Sequence, residues 1–197
     1  MAKISRGVDY HFLKKSFMKN EPCADLGVIK ENKSDLFFAI ADVAGHGDNA
    51  YRLSLVIKKY FVKNHKKNLV DIMNGLHTLL MGTRGAVAVV GLLDKKTGAV
   101  EYIGIGNISV RKFGRENIGF ISNEGIIGYI IPRPEIKRLQ LAPGECLFLH
   151  TDGIMNHFDV NHCTKDLFGK DAKRITEGIM KHFYRGSDDA GCIAIRY

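Results

Sequence analysis

The sequence predicts an α+β sandwich, and three observations carry the prediction. Apolar runs of strand length lie on both sides of a central stretch with helical periodicity. Glycine, proline or charged turn residues bound these runs. Their order, strands, two helices, a long series of strands, a helix and a strand, does not repeat the βαβ unit of a parallel sheet.

Taken in order, the first residues, MAKISRGVDYHFLKKSF, place lysines and an aspartate where a signal peptide needs an unbroken apolar segment, so a cytoplasmic protein is expected. Asp25 stands in PCADLGVIK, just ahead of a candidate strand. Residues 35–43, DLFFAIADV, are rich in Phe, Ile and Val and read as the next strand, which ends on Asp42 and passes at once into Gly45, His46 and Gly47. From about Asp48 to Lys63, Leu53, Val56, Ile57, Tyr60 and Phe61 recur at helical spacing. A second helix, capped by Asn68, gathers Leu69, Ile72, Met73, Leu76 and Leu80 on one face. Residues 85–94 and 99–113 read as two strands joined by a hairpin turn, DKKTG. GFISNEG, EIKRLQLA and ECLFLHTDG follow as strands between glycine or proline turns, among them Pro143-Gly144. A last helix near residues 171–184 brings Ile175, Ile179, Met180 and Phe183 together, and AGCIAIRY reads as a closing strand.

Composition bounds the function. A chain of 197 residues with 45% hydrophobic residues and four prolines suits one globular domain with a sizeable core. No apolar stretch is long enough to span a bilayer, so no membrane partner is expected. Cys23, Cys146, Cys163 and Cys192 are scattered without a Cys-x-x-Cys pair, which supports neither a disulfide framework nor a zinc finger. The formal charge of +8 suits an acidic or phosphorylated partner. The lysines of residues 56–67 alternate with apolar positions and read as a solvated helix face; without an aromatic stacking platform, nucleic acid is not the expected partner.

The aspartates carry the chemistry. Asp42 ends one apolar strand, Asp152 ends another, Asp188 and Asp189 precede the terminal strand, and Asp25 precedes a fourth. If these strand ends converge, like charges repel by about 4 kcal/mol per pair at 4 Å and an effective dielectric of 20, so a cation must compensate. Oxygen-only ligation suits Mg²⁺ or Mn²⁺ better than zinc. The glycines after Asp42 let the backbone approach a metal or phosphate, and the Val43 carbonyl becomes a candidate ligand. Singly, each aspartate also reads as a turn former, and Asp48 as a helix cap; the constellation favours the metal. His46 is either a phosphate contact or an ordinary loop histidine. His157, His162 and Cys163 match no standard zinc spacing and read as a solvated loop.

In order and spacing, ADVAGHGDNA, RGAVAVVGLLD, YIGIGNISV, HTDGIMN and SDDAG resemble the metal-dependent serine/threonine protein phosphatases of the PPM type (protein phosphatase type 2C), in their bacterial SpoIIE-like branch. The resemblance runs from about Cys23 to the C-terminus. It implies an α-β-β-α sandwich of two antiparallel sheets flanked by helices, with residues 1–197 a single phosphatase domain. It also implies that Asp42, in the D-x-x-G-x-G motif, bridges two metal ions and that the Val43 carbonyl binds one of them. Asp152 of T-D-G and Asp188 of the D-D pair are implied ligands, and Asp25 is implied to hold the other ion, often through water. Gly45, His46, Gly47 and Asp189 are implied as phosphate contacts or supports of the ligands. The implied cofactor is Mn²⁺ or Mg²⁺, two ions. Small size and the RGAVAV and GNISV stretches are most similar to the stand-alone phosphatase that resets the stressosome, which implies phosphorylated STAS-domain stressosome proteins as partners and a monomer. Two departures stand out: the family commonly ends D-D-x-T, whereas Gly191 takes the threonine's place, and Asp25 lacks the directly preceding glutamate seen in many relatives. The first leaves a phosphoprotein-binding pseudophosphatase as the alternative.

Overall fold

A computed structural model describes residues 7–120, 122–156 and 167–197. They form β1 (Asp9–Lys15), β2 (Leu26–Glu31), β3 (Asp35–Val43), α1 (Gly47–Asn64), α2 (Leu69–Leu80), β4 (Ala86–Asp94), β5 (Ala99–Ile105), β6 (Ser109–Phe113), β7 (Ile118–Phe120), β8 (Lys137–Gln140), β9 (Cys146–His150), α3 (Ala172–Phe183) and β10 (Ala190–Arg196). One sheet has the order β1-β10-β9-β6-β7 and the other β2-β3-β4-β5-β8, and neighbouring strands in both are antiparallel.

Strand alternation explains the layering. Leu36, Phe38 and Ile40 of β3 meet Leu147, Leu149, Ile193 and Ile195 of the other sheet, whereas Phe37, Ala39, Ala41 and Val43 turn outward onto Ile57 and Phe61 of α1 and Ile72, Met73 and Leu76 of α2. Both faces of β3 are buried, so its sequence reads as one continuous apolar run. On the far side, Ile175 and Ile179 of α3 cover Phe148 and Ala194, with Phe113 and Phe168 stacked at 3.6 Å between ring centroids. The architecture is the α-β-β-α sandwich that the sequence predicts.

Local chemistry also follows expectation. The Asn68 side chain accepts from Asp71 N at 2.8 Å and caps α2. Asp94 Oδ1 accepts from Lys96 N and Thr97 N, both at 2.8 Å, which closes the DKKTG hairpin. Asp48 does not cap α1: the N-cap position is His46, whose side chain makes no capping bond.

Three elements differ from expectation. The run 99–113 is two strands in opposite sheets, β5 and β6, joined by a crossover at Gly106–Ile108. The switch is silent in hydrophobicity because Val100 and Tyr102 before it and Val110 after it feed the same inter-sheet core. GFISNEG is a strand only to Phe120; beyond it, isolated bridges such as Ala86 to Ile127 and Ile105 to Asn123 hold the chain against β4 and β5. β1 was not expected, since DYHFLKK is short, half-exposed and ends on two lysines, yet it pairs along its whole length with β10. Among the described residues no helix is long and apolar enough to cross a membrane. Cys23, Cys146 and Cys192 are buried free thiols. His157, His162 and Cys163 lie outside the described residues.

Candidate active site

Strand parity brings the site together. Asp42 shares the inward face of β3 with Leu36, Phe38 and Ile40, and Asp25 extends the inward parity of Gly27 and Ile29 in β2. In the opposite sheet, Thr151 continues the Leu147 and Leu149 face of β9, and Gly191 and Asp189 continue that of Ile193 and Ile195 in β10. Asp152 and Asp188 each adjoin one of these inward residues, and four carboxylates, Asp25 and Asp42 from one sheet and Asp152 and Asp188 from the other, come close enough at one mouth of the sandwich for the charges of the other three to act on Asp42.

Their ionisation records the meeting. Burial, and then the charges of Asp25, Asp152 and Asp188, push the Asp42 carboxyl up to about 9. Asp25 is fully buried, and burial is the largest cause that raises it to about 7; the Thr151 hydrogen bond opposes this, while Asp189 adds to it. Asp25 Oδ1 is buried without a hydrogen-bond partner, and a hydrogen bond between the Asp25 and Asp42 carboxyls requires that one of them hold a proton. Asp152 Oδ1 is likewise buried without a partner. Orphaned carboxylate oxygens facing further carboxylates suit a hard divalent cation. Among the described residues no three His, Cys, Asp or Glu side chains close on one point as a preformed cage. Mg²⁺ accommodates such an open set, because it keeps several waters and needs only one or two carboxylates each.

The remaining groups support these four. Asn107 Nδ2, at the crossover between sheets, donates to Asp152 Oδ2 at 2.9 Å. Asp189 is buried and accepts from Ala24 N at 2.6 Å and Phe17 N at 3.2 Å, so it fixes the segment that carries Asp25. Lys14 Nζ donates to the carbonyls of Cys23 (2.7 Å) and Asp25 (2.9 Å). Asp188 Oδ1 accepts from Asp189 N at 2.8 Å. Val43, whose carbonyl was the candidate ligand, follows Asp42 directly with its side chain in the core under α1.

The loop after Asp42 turns through Gly45 (φ 82°) and Gly47 (φ 77°), a backbone region that penalises any Cβ. Gly45 also makes room for Arg84, whose Nη1 donates to Ala44 O at 3.1 Å and would lie 2.7 Å from a Cβ at position 45. His46 stands 4.0 Å from Glu21 Oε2 and edge-on to the Phe17 ring, tying the loop to the chain before Asp25. Beside the mouth opens a cleft of about 620 Å³ lined by Val87, Asn107, Ile108, Phe120 and Ile126, among others; Val87 pairs with Asp42 across the ladder. Sequence reasoning missed Thr151, Asn107, Lys14 and Arg84. Only Thr151 left a signal, the inward parity it shares with Leu147 and Leu149.

Comparison with known proteins agrees with this geometry. The family profile of Stage II sporulation protein E (SpoIIE) matches residues 32–197. A structure from work on the bacterial stressosome, a modular system adapted to control secondary messenger signaling, is 25% identical with a TM-score of 0.87, covering 97% of this chain and 100% of that one. RsbX in complex with magnesium is 18% identical with a TM-score of 0.83, covering 96% and 94% of the two chains. The PP2C phosphatase domain of SpoIIE from Bacillus subtilis, with a fragment of its regulatory domain, is 18% identical with a TM-score of 0.81; the match covers 96% of this chain and 63% of that one. A search of curated proteins returns no match.

Proposed function

This chain belongs to the SpoIIE family of PPM-type phosphatases, and from that membership we propose that it is a metal-dependent phosphoserine/phosphothreonine protein phosphatase, a single catalytic domain over residues 1–197. The observation that carries the reading is the set of four aspartates from two sheets, with Asp42 driven toward neutrality and carboxylate oxygens of Asp25 and Asp152 left without partners. Asp25, Asp42, Asp152, Asp188 and the Val43 carbonyl would hold Mn²⁺ or Mg²⁺, two ions, and RsbX bound to magnesium in the same fold supports that choice. When bound, such ions lower the pKa of a shared water and neutralise the phosphoryl oxygens.

The chain's own groups orient and hold. Asn107 fixes the Asp152 carboxylate, Asp189 clamps the segment before Asp25, and the 44–47 loop lets backbone come close to the substrate's phosphoryl group. The open cleft beside Asp42 leaves space for polypeptide on either side of a phosphorylated residue. This supports a protein substrate over a small metabolite.

The proposed substrates are phosphorylated STAS-domain proteins of a stressosome, dephosphorylated in the cytoplasm by a monomer to reset a stress signal; the stressosome-derived neighbour supports that assignment. The test is to incubate the protein with phosphorylated STAS proteins encoded by the same organism, with manganese and with EDTA, beside p-nitrophenyl phosphate. Manganese-dependent phosphate release from both is expected. Release from neither would leave a phosphoprotein-binding pseudophosphatase; release from p-nitrophenyl phosphate alone would overturn the substrate assignment.

A further inference from the structure

We propose that Thr151 is the residue that positions Asp25, and that Gly191 is glycine to leave room for it. The inference rests on the metal-centre reading above.

Thr151 Oγ1 donates to Asp25 Oδ2 at 2.7 Å and accepts from Gly191 N at 2.9 Å. A hydroxyl has one proton and two lone pairs, so the bond from Gly191 N restricts its rotation and leaves the proton to Asp25. The competing acceptor for that proton, Gly191 O, is longer at 3.4 Å. Thr151 N in turn donates to Gly191 O at 3.0 Å, which anchors the threonine to the β10 backbone. Both side chains are buried, Asp25 at 0% exposure and Thr151 at 1%, so water does not stand in for either partner. With Oδ2 engaged, the bond restricts the rotation of the carboxylate, and Oδ1 is the oxygen left without a partner.

Gly191 gives an independent observation. Its φ is not positive, so its backbone would accept any L residue. What opposes one is space: a Cβ there would crowd both Cβ and Oδ2 of Asp25 at 3.2 Å, tighter than ordinary van der Waals contact. The neighbour that would have to move is the carboxylate itself. Thr151 belongs to one sheet and Asp25 to the other, so this single hydroxyl sets a proposed ligand of one sheet against the frame of the other.

The test compares wild type with Thr151→Val, Thr151→Ser and Gly191→Ala. The readouts are Mn²⁺ affinity by calorimetry and the Mn²⁺-dependent shift in Tm, with circular dichroism to report folding and p-nitrophenyl phosphate turnover alongside. Thr151→Val, which keeps shape and loses the hydroxyl, should weaken Mn²⁺ binding by about tenfold or more, the usual effect of removing a group that orients a metal ligand. Thr151→Ser should restore affinity to near wild type, and Gly191→Ala should weaken it with Thr151 intact. A folded Thr151→Val that binds Mn²⁺ like wild type overturns the inference. If Thr151→Val does not fold, wild-type affinity in Gly191→Ala overturns it instead. A wild type with no Mn²⁺ response overturns the metal-centre reading and this inference together.

Discussion

Replacing Asp42 with asparagine should stabilise the metal-free protein and abolish its response to manganese. The Asp42 carboxyl is raised from an ordinary 3.8 to about 9, first by burial and then by its neighbours' charges. The sign follows from linkage: at pH 7 the folded protein binds a proton that the unfolded chain does not, so stability falls as pH rises from about 4 to about 9. Holding that proton at pH 7 costs at most about 4 kcal/mol, at 1.36 kcal/mol for each unit above the ordinary value. The proton is shared with Asp25 and the mouth is partly open to solvent, so the recoverable part is about 1–2 kcal/mol after screening. For a chain of this size that is a rise in Tm of about 3–6 °C in EDTA at pH 7. It should vanish near pH 4, where both forms are neutral. In manganese the order reverses: wild type gains about 2.7 kcal/mol at a hundredfold excess over Kd, and the variant, lacking a carboxylate proposed to hold the metal, gains far less. Thermal unfolding in EDTA and in manganese, with phosphatase turnover alongside, measures all three. A variant that melts lower in EDTA and keeps its turnover in manganese would refute the reasoning at its central residue.

Further outcomes follow from individual groups. Gly153→Ala would drive a Cβ into the carbonyl of Asp189, so it should cost about 3 kcal/mol in urea unfolding and displace Asp152; a loss below 1 kcal/mol would contradict the close approach. His150 is buried, and burial, reinforced by Arg111 and Arg185, lowers its imidazole to about 4. A base with a lowered value contributes stability that is intact above pH 6.5 and lost as pH falls toward 4, up to about 3 kcal/mol; His150→Gln should flatten that acid limb, and an unchanged slope would sink the claim. A phosphoprotein should be hydrolysed with a kcat/KM well above that of free phosphoserine, because contacts along the cleft by Val87 and Ile108 supply binding energy that an amino acid cannot. Equal values for the two would mean that the cleft does not take part.

Asp42, Asp152 and Asp188 were legible because each interrupts or precedes an apolar run, where an acidic residue has no reason of packing to be. The core of β3 was legible for the same reason: burial on both faces leaves an unbroken hydrophobic stretch. Hydrophobicity could not reveal the crossover at Gly106–Ile108, since the residues before and after it pack into one core and the pattern never breaks. β1 escaped because half-exposed edge strands with lysines look like loop. Thr151 escaped for a different reason. Its role depends on Asp25, 126 positions away, and no local pattern records a hydrogen bond of that span. Gly191 looked like the loss of a threonine contact, and only the position of Asp25 shows why a side chain is absent there.

The placement of β10 also governs when the acidic mouth is complete. Synthesised after the other nine strands, β10 enters its sheet between β1 and β9, and Asp188 and Asp189 arrive with it. A nascent chain that lacks it leaves β1 and β9 unjoined and holds three of the four carboxylates of the mouth, without Asp188. Assembly therefore waits on contacts of the longest sequence separation in the fold, such as Asp9 with Arg196 and Lys15 with Ala190, which form late and slowly. In the phosphatase proposed above, a product clipped ahead of β10 would lose Asp188, Asp189 and the strand that β1 and β9 share in one step, and would have no graded, partly working form.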